Sequence, residues 1–138
     1  MTSLIYTSAV DDSARGAIDF DTDTFKVLLV TSSYTASKST HAKRSDITGE
    51  VTGTGYTAGG ATSACTVTKD TSNSKVTLGF AAVSWPTSTI TAAGGVIYKS
   101  RGGASSADEL VGYIDFGGNI SSVGGTFTVG TSTITLQN

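Results

Sequence analysis

Apolar and polar residues alternate along most of the chain with the period of two that is typical of β-strands. Two alternating runs, residues 65–69 and 76–80, are separated by the turn-forming residues 70–74 and predict a hairpin. The run Phe25–Val30 is apolar on both faces apart from Lys26. It predicts a central strand that is buried on both sides.

The same alternation predicts the strands that follow the hairpin. Val83 and Trp85 extend its second strand until Pro86, which lacks a backbone donor, ends it. A further strand is predicted over residues 90–99, where the glycine pair that begins at Gly94 indicates a bulge or the close approach of another backbone.

Residues 110–116 form the next predicted strand, and residues 127–129 and 134–136 close the domain. The segments 101–108 and 117–125, rich in glycine and serine, are predicted as loops. Together these patterns predict an all-β fold of roughly eight to nine short strands, which is a sandwich, a jelly-roll-like fold or a barrel.

Residues 16–138 are predicted to form this single β-domain, and residues 1–15 an N-terminal arm or a first strand. A helical turn is tolerated only around residues 41–47. If the N-terminal segment is an arm, deletion of residues 1–10 leaves the melting temperature nearly unchanged. If it is a core strand, the same deletion makes the fold collapse.

Length and charge narrow the functional classes. A chain of 138 residues can bury roughly 68% of its unfolded surface in one core. The charged fraction is 14% and the net charge is -2, with the basic residues scattered, so we expect no nucleic acid as a partner. No run approaches transmembrane length and no export signal precedes the domain, so we expect no membrane partner and synthesis in a cytoplasm. The single cysteine excludes an intrachain disulfide.

A stretch rich in glycine and threonine, residues 44–61, interrupts the strand pattern. Its centre, residues 53–59, fails the spacing of a dinucleotide-binding loop, and no Gly-Lys-Ser/Thr triplet is present. We therefore expect no cofactor here. The stretch is predicted to be a flexible crossover to the hairpin, with Arg44, Asp46 and Tyr56 as its contact residues.

Three aspartates near the first strand suggest a cation site, but a turn explains them better. Asp19, Asp21 and Asp23 alternate as in calcium loops, yet the glycine and the distal glutamate of such loops are missing. Aspartate side chains in turns accept hydrogen bonds from nearby backbone amides. We therefore expect no metal.

Two further groups could carry catalysis. His41 is the only histidine, and Cys65 lies in an apolar alternation, where a small buried hydrophobe is the usual role. A small hydrolase that uses His41 with Cys65 or a carboxylate is the remote alternative function, because no family signature surrounds either residue. Asp108, Glu109 and Asp115 could pair as acid and base, but loop solvation and a strand end explain them more simply.

Several segments, taken in order, resemble a small family of virion proteins of tailed bacteriophages. Residues 16–30, Tyr34, His41 and residues 44–46 are similar to the start of that family. Three later segments occur in the family's order, namely residues 96–99, 110–116 and 125–128. The chain departs from the family after Lys99, where Ser100-Arg-Gly102 replaces an acidic turn, and at its threonine-rich last strand.

Such proteins are capsid decoration (cement) proteins or other small head components, with no enzymatic residues. The resemblance therefore implies a non-enzymatic protein on the capsid surface of the virion, a homotrimer or dimer that binds the major capsid protein and stabilises its lattice. The resemblance does not cover residues 1–15, but under this hypothesis we predict that Leu4, Ile5 and Tyr6 act as an arm that contacts the capsid or a sister subunit. Arg44, Asp46 and Tyr56 are the other predicted contact residues. The alternative is a tail, neck or head-fibre component that binds a host surface.

Overall fold

The computed structural model describes residues 2–138, and Met1, part of the predicted range 1–15, lies outside them. The described residues form eight strands and one α-helix. In chain order these are β1 (Leu4–Ile5), α1 (Thr7–Ala14), β2 (Phe25–Val30), β3 (Ala61–Thr62), β4 (Cys65–Asp70), β5 (Lys75–Phe80), β6 (Val83–Lys99), β7 (Leu110–Val129) and β8 (Ser132–Gln137). Two 3₁₀ helices, Arg44–Asp46 and Ser105–Ala107, lie in the connections.

The strands make two antiparallel sheets. The larger has the order β1-β7-β6-β2-β3, and the smaller has the order β4-β5-β8. The predicted hairpin is present as β4 and β5, which pair along their whole length from Cys65↔Phe80 to Asp70↔Lys75. The all-β, sandwich-like single domain is therefore confirmed.

Alternation along β2 explains how the core is divided. Phe25, Val27 and Leu29 pack in one cluster with Leu78 and Phe80 of the smaller sheet. Strand neighbours point to opposite faces, so Leu28 and Val30 lie in a second cluster. This second cluster is closed by residues of the N-terminal segment and of the connection after β2, including Tyr6 and Tyr34. The prediction that β2 is buried on both sides is confirmed.

Two strands are much longer than predicted. Val83 and Trp85 do not extend β5 but begin β6, which lies in the other sheet. Pro86 does not end a strand but lies inside β6, at a shift of the pairing register between Trp85 and Ser88. Proline is tolerated at such an irregularity because no ladder hydrogen bond is required of it there. The predicted loop 117–125 is also wrong, since these residues belong to β7, where residues 120–122 and Gly125 pair with β6.

The glycine pair in β6 has the predicted role. The register shifts between Ala92 and Gly94, which marks a bulge. A Cβ atom on Gly94 would lie 2.6 Å from the ring of Tyr113. Only glycine leaves room for that tyrosine, and the bulge and the close packing occur at the same residue.

Helix α1 was not predicted from the sequence. It has eight residues, of which only Ala9 is buried. Its sequence therefore lacks the apolar stripe of helical period that predicts a helix. The helix begins directly after the buried Tyr6, whose carbonyl accepts a hydrogen bond from the Ala9 amide at 3.0 Å. The predicted helical turn around residues 41–47 is present as the 3₁₀ helix Arg44–Asp46.

Candidate interaction surfaces

The N-terminal residues form a strand and not a free arm. Leu4 and Ile5 pair with Tyr113 and Gly112 at the edge of the larger sheet. Tyr6 is fully buried, and its hydroxyl lies 2.8 Å from that of Tyr34. Of the three predicted contact residues, Tyr6 belongs to the core, Leu4 is half-buried and Ile5 is exposed.

The expected effect of an N-terminal deletion is therefore reversed. Removing residues 1–10 takes out β1 and the buried Tyr6 together. Loss of a buried aromatic side chain costs about 3–5 kcal/mol of unfolding free energy. We expect the deletion to lower the melting temperature strongly, which a calorimetric scan would measure. An unchanged melting temperature would contradict this placement.

Arg44 is held by a buried carboxylate. Its Nε donates to Asp108 Oδ2 at 2.7 Å, and its guanidinium lies 5.2 Å from the centre of the Tyr98 ring. Asp108 has only 1% of its surface exposed. Its second carboxylate oxygen accepts from the Arg101 backbone amide at 2.9 Å. The residue predicted as a contact is thus part of an internal ion pair that joins two connections.

The buried carboxylate of Glu109 forms a second ion pair beside the first, with an arginine whose side chain is 43% exposed. Arg101 binds its carboxylate with Nη2 at 2.6 Å and Nε at 3.0 Å, and Lys43 Nζ lies 3.6 Å away. The explanation of Asp108 and Glu109 by loop solvation is therefore wrong. The sequence carries little signal for this, because Arg44 and Asp108 are 64 positions apart in the chain. We call these five residues, Lys43, Arg44, Arg101, Asp108 and Glu109, the charged end of the β6–β7 hairpin.

Asp46 organises its own 3₁₀ helix. Its Oδ2 accepts hydrogen bonds from the backbone amides of Ala42 and Lys43, each at 2.9 Å. These bonds hold the pKa of Asp46 below its ordinary value. The side chain is exposed, so a contact with a partner stays a prediction.

Tyr56 fastens the glycine-rich stretch to the sheet. Its hydroxyl accepts from the Leu29 amide at 3.0 Å and donates to Glu50 Oε1 at 2.7 Å. The same oxygen accepts from the Gly59 amide at 2.6 Å. Burial, together with the Glu50 carboxylate, raises the pKa of Tyr56. The stretch is a crossover to the hairpin as predicted, and Glu50 is the anchor that the sequence did not reveal.

The three aspartates near the first predicted strand lie in a turn, as the sequence predicted. Asp19 Oδ1 accepts from the Asp21 amide at 3.0 Å, and this bond lowers the pKa of Asp19. Asp23 accepts from the Asp19 amide and forms an ion pair with Lys99 at 2.8 Å. Among residues 2–138 no group of three or more His, Cys, Asp or Glu side chains has an arrangement that could hold a metal ion.

His41 and Cys65 lie in different parts of the structure. The His41 ring stacks on Tyr34, which belongs to the second core cluster, and its Nδ1 lies 2.9 Å from the Tyr34 hydroxyl. Cys65 is half-buried against the first cluster. Burial and the nearby Asp21 raise the pKa of its thiol, which disfavours the nucleophilic thiolate. The structure does not bring the two residues together.

The opposite part of the hairpin contains no charge at all. Residues 51–68, 76–98 and 116–138 have no Asp, Glu, Lys or Arg. Within them, Thr54 pairs with Thr89, whose hydroxyl accepts from the Gly124 amide at 3.1 Å. We call residues 52–57, 87–91 and 120–125 the uncharged end. Its exposed apolar side chains are Val123, at 87% exposure, and Ile120, at 49%.

A second apolar surface lies where the two sheets open toward solvent. Ile5, Val10 and Leu136 are exposed by 38%, 62% and 53%. The first two belong to β1 and α1 and the third to β8, and all three line one narrow gap of about 70 Å³. A larger cleft of about 500 Å³ beside it is lined by both β1 and β8. The sequence predicted Ile5 as a contact residue but gave no reason to place Val10 or Leu136 beside it.

No protein-family model, curated protein or solved structure matches this chain. No helix among the described residues is long and apolar enough to cross a membrane.

Proposed function

We propose that this protein is a capsid decoration protein of a tailed bacteriophage, and that its uncharged end contacts the major capsid lattice. The order of segments from Gly16 onward that resembles virion proteins supports the phage assignment. The observation that carries the contact surface is the exposure of Val123 and Ile120 in a region without a charged residue.

The chemistry of the uncharged end suits contact with another protein. Exposed hydroxyls of this end pair with one another across the hairpin, as in Thr91 with Ser121 at 2.8 Å. Covering neutral side chains removes no ionic hydration, so the cost of desolvation is small. Burial of the exposed side chains of Val123 and Ile120 in an interface would stabilise the complex through the hydrophobic effect. In a lattice, many copies with modest interfaces give high avidity.

The experiment measures binding to expanded shells of the major capsid protein that lack this protein. We expect saturable binding in a fixed ratio to the lattice and rupture of the shells at a higher temperature. Val123→Lys should weaken the binding at least tenfold, because a charge would have to be desolvated in the interface.

The matched control is Ser39→Lys, which adds the same charge at an exposed serine of the connection between Lys38 and Lys43. It should bind the shells as the unchanged protein does. Absence of binding by the unchanged protein, or equal loss in both variants, would contradict the proposal. Assembly of the purified protein into rings or filaments, or its binding to host cells, would favour a tail, neck or head-fibre component.

A further inference from the structure

The outer edge of β8 is an uncovered sheet edge. All six residues of β8 pair with β5, from Lys75↔Gln137 to Phe80↔Ser132, without a shift of register. Within the described residues β8 has no second neighbour in its sheet. Alternate residues of an edge strand point their backbone N–H and C=O groups outward. This edge can therefore accept another strand over its whole length.

The other sheet edges are better protected. β1 and β3 have two residues each, too few to template a strand. β4 has Lys69 and Asp70 at its end. Charges and shortness are the usual means by which proteins block pairing between edges. Neither is present at β8.

The lack of charge makes β8 complementary to itself. Of the strands with six or more residues, β8 alone contains no Asp, Glu, Lys or Arg. A two-fold axis places the residues nearest to it beside their own copies, so a charge near the middle of the strand would meet a like charge. Ser132–Gln137 can face a second copy with no such repulsion.

The surface beside this edge is largely apolar, with Lys38 as the charged residue that lines the cleft between β1 and β8. Leu136 is 53% exposed, and a narrow apolar gap that Ile134 and Leu136 line extends toward Ile5 and Val10. A strand added to β8 would lie against Leu136 and along the mouth of the cleft between β1 and β8. Exposed apolar surface and unpaired backbone groups thus occur on the same side of the molecule.

We propose that β8 pairs antiparallel with β8 of a second copy of this chain across a two-fold axis. The three-stranded sheets of the two copies then form one continuous sheet. Side chains alternate between faces, so the exposed Thr133 and Thr135 pair with exposed residues of the second β8. Thr135 and its copy are then direct or diagonal neighbours. This dimer does not require capsid binding, so its failure and that of the proposed function are distinguishable.

The test is a charge swap at Thr135, measured by sedimentation velocity of the purified protein from about 1 to 100 μM. The unchanged protein should sediment as a dimer at the higher concentrations. Thr135→Lys alone and Thr135→Glu alone should be monomers, because each variant places like charges across the axis. An equimolar mixture of the two should regain the mass of the dimer, with one copy of each.

Thr68→Lys is the matched control, since Thr68 is an exposed threonine of β4 at the other edge of the same sheet. It should remain dimeric. A monomer at all concentrations, a trimer, dissociation by Thr68→Lys, or a mixture that stays monomeric would each overturn the proposal. Restored dimerisation in the mixture also shows that the two variants are folded.

Discussion

The two ends of the β6–β7 hairpin share the same antiparallel pairing but are held by different chemistry. At the charged end, Asp108 and Glu109 are 1% and 3% exposed and bind arginines from two connections. At the uncharged end, neutral hydroxyls pair across the strands, as in Thr91 with Ser121 at 2.8 Å. The first end keeps its carboxylates inside the molecule, and the second presents neutral groups to solvent.

This difference determines how freely each end can meet a partner. A buried ion pair permits one arrangement, because any other leaves a charge without compensation. An exposed hydroxyl exchanges its protein partner for water at little cost. The charged end is therefore suited to fixing connections in place. The uncharged end can be covered by another protein without rearrangement of the core.

The largest effect is expected from removing Arg44. Arg44→Met leaves the Asp108 carboxylate buried with only its bond from the Arg101 amide. Breaking a buried pair from one side costs about 3–5 kcal/mol. Urea unfolding should show this as a lower midpoint with an unchanged slope.

The control is the exposed ion pair Arg15–Asp11, whose side chains are 74% and 56% exposed. Arg15→Met should leave the midpoint where it is, since solvated pairs within one helix contribute little. If both variants shift the midpoint equally, burial is not what strengthens the charged end.

The strand pattern was predictable because it depends on neighbours in sequence. The alternation of residues 65–69 and 76–80 identified β4 and β5, and the apolar run Phe25–Val30 identified a strand buried on both sides. Each signal is local, and tertiary contacts agree with it.

What could not be predicted depends on residues far apart in the chain. The ion pair of Arg44 with Asp108 joins positions 64 apart, and acidic residues beside a glycine-rich loop look solvated when read alone. Residues 117–125 have the composition of a loop, yet they belong to a strand in which residues 120–122 pair with β6. Local propensity is a weak guide where pairing decides the structure.

A smaller effect is expected at two glycines with the same backbone geometry. Gly60 and Gly102 have φ of +77° and +80°. A Cβ atom on Gly60 would collide with the carbonyl of Val27, whereas one on Gly102 would meet nothing within 4 Å. Gly102→Ala should cost about 1 kcal/mol from backbone strain alone.

Gly60→Ala should cost clearly more than this, because the crossover must also move away from β2. Both variants carry the same backbone strain, so the difference between their unfolding midpoints measures the collision with Val27 alone. Equal midpoints would mean that the crossover after Tyr56 can move away from β2 at no cost in unfolding free energy.

Lowering the pH should reduce the stability that the charged end contributes to the fold, because Glu109 there becomes protonated. The uncharged end has no side chain that titrates with it. Burial raises the pKa of Glu109, but the bonds from Arg101 and the charges of Lys43 and Arg101 outweigh it, so that this pKa lies below its ordinary value. A carboxylate with a lowered folded-state pKa contributes stability that is present above its unfolded pKa, about 4.3. That stability is lost as the pH falls through the folded-state pKa.

Unfolding free energies measured between about pH 2 and 7 test this sign. Glu109→Gln removes the titrating group, so the difference between the unchanged protein and the variant should shrink as the pH falls. A difference that stays constant across this range would contradict a role for Glu109 ionisation.

The smallest effect is expected at the uncharged end, where Thr91→Val removes the hydroxyl that faces Ser121. Both side chains are exposed, so water replaces the lost partner and no polar group is left buried. Valine also has a good strand propensity, which offsets the loss. The unfolding midpoint should therefore remain within error of the unchanged protein. A loss comparable to that of Arg44→Met would show that hydroxyl pairs hold this end as firmly as ion pairs hold the other, and the contrast between the two ends would fail.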